Sequence, residues 1–149
     1  MLALRTARAL RPALRSFSDA SGGLQLSFAA PHTVYYFETS VASVTLPGAS
    51  GEYGVTLGHS PLAEQLRPGV VAITHKAGEE PEKFFVSGGF AFTDSEKTEV
   101  SALEAVKLED IDEAKVRAEY AAASKGDDDD SKAAADAAKA MAAAIGVAL

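Results

Sequence analysis

From Leu24 to about Leu103 apolar and polar positions alternate in short runs, each closed by glycine, proline or a small polar residue. Leu24-Gln25-Leu26-Ser27-Phe28 has the period of two required of a half-buried strand, whose successive side chains point to opposite faces. Residues 32–37 and 41–46 follow, rich in β-branched and aromatic types, and Pro47-Gly48 reads as the turn that stops the second of them. Val70-Val71-Ala72-Ile73 is apolar throughout, as a strand covered on both faces would be. Segments 82–87, 89–93 and 97–103 bring the total to seven or eight short strands, which predicts a sandwich or a barrel. Phe84 and Val86 should share one face and Phe85 the other. Phe90 and Phe92 again share a face, and aromatics at this density are expected in the core.

After Leu103 the period changes. Asp110 with Glu113 three positions later makes an acidic variant of the capping box that opens a helix. Ile111, Ala114, Ala118, Ala121 and Ala122 then recur at helical spacing as far as Ser124, and Gly126 stands where a C-terminal cap would end the helix. Asp127 to Asp130 precede a second predicted helix over residues 131–145. Carboxylates at its positive dipole end contribute at most about 0.3–1 kcal/mol each, less their mutual repulsion. Alanine fills ten of the nineteen positions from Ser131 to Leu149, and Ala134, Ala137, Ala138, Met141, Ala144, Ile145 and Ala148 mark one face. Two such helices predict an antiparallel hairpin. Small side chains bury little apolar area, so the hairpin needs the β part or a partner to lie against.

Charge adds a third segment. Residues 1–18 carry Arg5, Arg8, Arg11 and Arg15, two serines, one threonine and no acidic residue, with leucines between them. That is the composition of an amphipathic mitochondrial transit peptide over residues 1–17, with Arg15-Ser16-Phe17-Ser18 as the expected cleavage site. Its removal takes the formal charge of the chain from −7 to −11. An acidic body repels phosphate backbones, so nucleic acid is not an expected partner. No apolar run approaches the ~20 residues that span a bilayer.

Candidate chemistry is sparse. Cysteine is absent, and His32, His59 and His75 lack the spacing of a helical zinc site. No phosphate-cradling glycine loop occurs, and Ser87-Gly88-Gly89 lacks the pattern of a hydrolase elbow, reading instead as a hairpin turn or bulge. His59 and Ser60 are adjacent in sequence, which does not give a base-to-nucleophile geometry. No catalytic residue, metal or cofactor is expected.

Gly51 to Leu62 (GEYGVTLGHSPL), Arg67 to Val71 (RPGVV), Phe85 to Ala91 (FVSGGFA) and Ile111 to Ala118 (IDEAKVRA) appear in this order. Together they resemble the rotary ATP synthase central-stalk subunit family, called delta in mitochondria and epsilon in bacteria and chloroplasts. The resemblance covers about Leu24 to Ala122. It implies an N-terminal flattened β-sandwich over residues 18–104 and a C-terminal antiparallel two-helix hairpin over residues 105–149. The implied role is that of a non-catalytic rotor part on the matrix side of the mitochondrial inner membrane. Its implied partners are the gamma subunit, the polar loops of the c-ring and a small mitochondrial epsilon subunit, with membrane contact only through the c-ring. By position, an exposed turn at Glu52, Tyr53 and Gly54 and the segment Val55 to His59 match the family's c-ring- and gamma-facing edge. Gly58, Ser60, Pro61, Ser87, Gly88 and Gly89 complete the interface set.

Two departures from the family pattern stand out. Leu57 occupies the place where proline often precedes the glycine of the Gly-His pair. In some bacterial relatives the hairpin binds ATP through an I/L-D-x-x-R-A motif, and here Lys115 and Val116 hold its last two places. Lysine replaces a planar bidentate guanidinium poorly. Two alternatives remain open at this stage: a nucleotide-sensing regulator whose hairpin inhibits ATP hydrolysis, and a free-standing β-sandwich adaptor.

Overall fold

The structure is a computed structural model that describes residues 22–124 and 128–147. The expected transit peptide and its cleavage site, Gly126, Asp127 and Ala148 lie outside the described residues.

Ten strands precede two helices: β1 (Leu24–Ala30), β2 (Thr33–Val41), β3 (Ser43–Gly48), β4 (Gly51–Thr56), β5 (Leu62–Leu66), β6 (Gly69–Thr74), β7 (Glu82–Val86), β8 (Gly89–Thr93), β9 (Lys97–Ala102), β10 (Ala105–Lys107), α1 (Glu113–Ala123) and α2 (Asp129–Ile145). They form a curled sheet in the order β10-β7-β6-β3-β5-β8-β9-β1-β2, with β4 paired to β3. The sheet folds into two layers. The hinge between them is narrow, since β3 and β5 share only the pair Gly48↔Leu66. Every pairing is antiparallel except that of β1 with β9.

The inner faces of both layers meet in one core. Leu24, Leu26 and Phe28 of β1, Val44 and Leu46 of β3, and Phe84 and Val86 of β7 are at most 1% exposed within it. Phe84 meets Phe28 edge-on at 5.3 Å, and Tyr35 stacks on Phe28 at 5.0 Å. Removing Phe84 from such a site costs on the order of 3–5 kcal/mol.

Opposite the Gly48↔Leu66 hinge, side chains close the sandwich between the edge strands β2 and β10. The Tyr35 hydroxyl donates to the Ala105 carbonyl at 2.5 Å. The Tyr36 hydroxyl donates to Glu82 Oε2, Lys107 Nζ donates to Glu82 Oε1 at 2.5 Å, and His75 Nε2 lies 3.3 Å from Oε2. The Lys107 hydrogen bond, followed by that from Tyr36, holds the Glu82 carboxyl down at about 2 against some opposition from burial. Burial, followed by the hydrogen bond to Glu82, pushes the Tyr36 hydroxyl well above the ordinary phenolic range.

Several expectations are corrected. Pro47-Gly48 is not a turn: both residues pair with β4, and the connection is Ala49-Ser50. Phe90 and Phe92 do share a face, but it points outward, and they are 54% and 53% exposed. The inward positions of β8 are Gly89, Ala91 and Thr93, all buried, because Phe28 and Phe84 already fill the interior. The cap of α1 is Asp112, whose carboxylate accepts from the Ala114 N–H at 2.9 Å, while Asp110 belongs to a 3₁₀ turn over Leu108–Asp110. With that start, the inward face of α1 carries Val116, buried, and Tyr120, half-buried, whereas Ala114, Ala118, Ala121 and Ala122 are exposed.

In α2 the acidic run acts as expected of a helix start. Asp128 is the cap, accepting from the Ser131 N–H, and Gly146 ends the helix in the left-handed region at φ 75°. Ala138 and Ala142 are its buried residues. The hairpin lies on the outer side of the β6–β7 layer, where Phe85, on the face opposite the core, lines a cleft with Ala134, Ala137, Ala138 and Met141.

Because the Glu82 carboxyl titrates lower in the folded protein than its ordinary 4.5, its contribution is complete above about pH 4.5 and is lost as pH falls toward 2. Glu82 is 28% exposed and Lys107 47%, so the contribution is discounted to about 1–2 kcal/mol. Urea denaturation across that window should therefore show a steeper loss of stability for the native chain than for Glu82→Gln. Equal slopes would exclude the carboxylate as the source.

Candidate interface surfaces

The segment from Gly51 to Pro61 combines a strand and a loop. In β4 the pairs Leu46↔Tyr53 and Val44↔Val55 turn Tyr53 and Val55 inward and leave Glu52 and Gly54 exposed. Glu52-Tyr53-Gly54 is thus the body of a strand and not a turn. The Val55 side chain is fully buried in the core, so it offers no contact to a partner. Tyr53 packs against the core with its hydroxyl buried, and burial, followed by the charge of Glu64, raises its pKa.

Past Thr56 the chain turns at Gly58, where φ is 85°, a conformation that favours glycine. The Gly58 N–H donates to the Ser95 carbonyl at 2.7 Å, tying this loop to the β8–β9 turn. His59 is half-buried; its Nδ1 lies 2.7 Å from the Ser60 carbonyl, and its ring centroid is 6.4 Å from that of Tyr53. Leu57, Gly58, Ser60 and Pro61 are exposed around it. Leu57 lines a shallow cleft with Gly22, Gly23, Gln25, Ser95 and Glu96.

Ser87, Gly88 and Gly89 occupy another part of the sandwich. Gly89 pairs with Leu66 on one side and Ala102 on the other. Both glycines are buried at φ near +145°, and a Cβ on Gly89 would stand 2.2 Å from the Ser101 carbonyl oxygen. Gly89 serves the close approach of β8 to β9, whereas at Gly88 it is the backbone conformation alone that favours glycine. The Glu52 end of β4 likewise stands apart from the histidine loop. Glu52 lines a cleft with Pro47, Arg67 and Pro68 against Ala140, Ala143 and Ala144 of α2.

The structure therefore joins Tyr53, Gly58, His59, Ser60 and Pro61 at one site, puts Glu52 beside the hairpin, and assigns Val55, Gly88 and Gly89 to the framework. Among the described residues no group of three or more His, Cys, Asp or Glu side chains is placed to hold a metal ion, and no helix is long and apolar enough to cross a membrane.

A surface the motifs did not mark is the outer face of the β5-β8-β9-β1-β2 layer. Register aligns Gln65, Phe90, Ser101, Ala29 and Val34 across it, with Ala63, Phe92, Glu99 and Ser27 in the adjacent row. Val34, in the first of these rows, is 64% exposed. Period-two alternation placed Phe90 and Phe92 together; only the strand register shows that they face out.

Residues 23–108 match the family model described as ATP synthase, Delta/Epsilon chain, beta-sandwich domain. ATP synthase subunit delta, mitochondrial, of Eremothecium gossypii is 39% identical over 132 residues, covering 84% of this chain and 82% of that protein. The protein of the same name from Saccharomyces cerevisiae is 42% identical over 118 residues, covering 76% of this chain and 72% of that protein. Among solved structures, a chain in the cryo-EM structure of Euglena gracilis mitochondrial ATP synthase (OSCP/F1/c-ring) superposes with a TM-score of 0.73 at 27% identity, covering 87% of each chain.

Gly89→Ala should cost about 2–4 kcal/mol, because both the backbone conformation and the Ser101 carbonyl oppose a side chain there. Gly54→Ala, with open space around its Cβ, should stay within about 0.5 kcal/mol. Denaturant midpoints of the two variants test the distinction between framework and surface glycines, and equal losses would contradict it.

Proposed function

This chain belongs to the ATP synthase delta/epsilon family and is a central-stalk subunit of the mitochondrial enzyme; from that premise we propose that it is a non-catalytic rotor part joining the gamma subunit to the c-ring. Its place is on the matrix side of the inner membrane, reaching the bilayer only through the c-ring. The observation that carries the reading is the agreement of the whole architecture, sandwich followed by hairpin, with a chain of a mitochondrial ATP synthase over 87% of both lengths.

The physical requirements of the role fit the fold. A part that transmits torque must not deform, and a close-packed sandwich closed on both edges is stiff. It must also hold its neighbours through a sizeable interface, typically ~1,600 Å² in total. The exposed loop of Leu57, Gly58, His59, Ser60 and Pro61 is the candidate contact for the c-ring. Leu57 adds an apolar side chain, 39% exposed, to that polar loop. Glu52, exposed beside Arg67 and α2, is a candidate polar contact to a c-ring loop, and the small epsilon subunit is a further neighbour of the stalk.

The nucleotide-sensing alternative finds little support in the hairpin. Asp112 is engaged as the cap of α1, Lys115 is exposed, and Val116 is buried. Lysine at this position lacks the fork that would grip a phosphate from two directions.

Three outcomes follow. The tagged chain should migrate on a native gel at the mass of the whole synthase and co-purify with gamma and c subunits; its absence there would refute the rotor reading. Calorimetry on the isolated chain should detect no sub-millimolar ATP binding, and a clear isotherm would restore the regulatory reading. Glu52→Ala should reduce the coupling of ATP hydrolysis to proton pumping without changing thermal stability. Unchanged coupling would remove Glu52 from the contact.

A further inference from the structure

α2 meets the sandwich almost entirely with alanine. Toward Arg67, Pro68 and Val70 it presents Ala140, Ala143 and Ala144. In the cleft at Phe85 it presents Ala134, Ala137, Ala138 and Met141. Met141 is thus the one side chain longer than a methyl group that α2 gives to either cleft. Alanine buries little apolar area, so the seating of α2 depends more on Met141 than on any single neighbour along the helix. A flexible thioether fills such an irregular gap well, and a sulfur beside an aromatic ring is favourable. The sequence holds only one other methionine, Met1, which stands in the expected transit peptide.

Met141 is half-buried rather than sealed. Its cleft measures about 230 Å³ and is bordered by the exposed residues Glu104, Val106 and Glu119. A water-sized oxidant needs only ~30 Å³. The polar lining is one-sided. Glu104 and Glu119 bring two carboxylates, Ser87 brings the one side-chain donor, and no lysine, arginine or histidine lines the cleft. A thioether is indifferent to that setting. An added oxygen bearing partial negative charge is not, because the carboxylates repel it and the alanine methyls offer it no hydrogen bond.

We propose that Met141 is a redox modification site, at which a hydroperoxide converts the thioether to the sulfoxide and so loosens α2 from the sheet. The sulfur lone pair attacks one peroxide oxygen and an S–O bond forms as the O–O bond breaks. The proton on the transferred oxygen neutralises the departing hydroxide or alkoxide, which leaves as water or an alcohol. Sulfur loses two electrons and the peroxide gains them. The product is polar and chiral where the reactant was apolar, and methionine sulfoxide reductases return it to the thioether. The contact lies within this chain, so its oxidation acts with or without a neighbour in the stalk.

The test is hydrogen peroxide on the full folded chain, with free methionine in the same solution as a reference. Digestion after Lys139 yields the peptide from Ala140 to Leu149, in which Met141 is the only methionine. That peptide should gain one oxygen at a rate within about tenfold of the free amino acid, as susceptibility follows exposure. Amide hydrogen exchange from Ala134 to Met141 should then run about fivefold or more faster, and sulfoxide reductase should restore the slow rate. Met141→Leu, close in volume and without sulfur, should keep slow exchange before and after peroxide, whereas Met141→Gln should exchange fast without it. A Met141 that stays unoxidised in the folded chain overturns the site. An oxidised chain whose exchange matches the reduced one, or a Met141→Leu chain that peroxide loosens equally, overturns the link between this sulfur and the seating of α2.

Discussion

Everything else in the molecule hangs on the contact between the two β layers. They are one sheet folded over, joined through the backbone at Gly48↔Leu66 on one side and by side chains on the other, where Tyr35, Tyr36, Glu82 and Lys107 tie β2 to β7 and β10. Between these closures the Phe28–Tyr35–Phe84 cluster fills the interior with centroid separations of 5.0–5.3 Å. A partly exposed charge-assisted bond adds little net stability, but it fixes the relation of the groups that share it. Here it fixes the two edges that a folded-over sheet would otherwise leave free to splay. For a part that passes torque from one neighbour to the next, that constraint matters more than the total free energy of folding.

The hairpin depends on the sandwich in turn. Its interior surface is largely alanine, and its inner helix meets the sheet at β6 and around Phe85. α1 packs mainly on α2, with Val116 as its only buried residue. Small side chains allow close approach but give little apolar burial per residue. Among the described residues the hairpin covers one outer face and no element covers the other, on which Phe90 and Phe92 stand exposed.

Much of the fold was legible in the sequence because period-two alternation and glycine punctuation are local signals. The strands around Leu24, Val70, Phe84 and Lys97 stand where the pattern put them, and the alanine-rich second helix does too. β4 was missed because Gly51, Gly54 and the polar residues between them resemble a turn; its strand character comes from pairing along the whole of β3. The direction of β8 was also hidden. Alternation groups Phe90 with Phe92 but cannot choose between inside and outside, and the choice fell to Gly89, whose missing side chain lets β8 approach β9. The interface set shows the same limit: its motifs hold Gly58 and His59, which lie at the surface, beside Val55 and Gly89, which are buried, and alternation alone does not sort them.

The central claim, that this chain turns with the rotor, is open to direct observation. A gold bead attached through a single cysteine placed at Ala118→Cys on the exposed side of α1, in synthase immobilised by its catalytic head, should rotate in steps when ATP is supplied and stop when hydrolysis is inhibited. A bead that stays fixed while the same molecules hydrolyse ATP and a bead on the c-ring rotates would contradict the assignment.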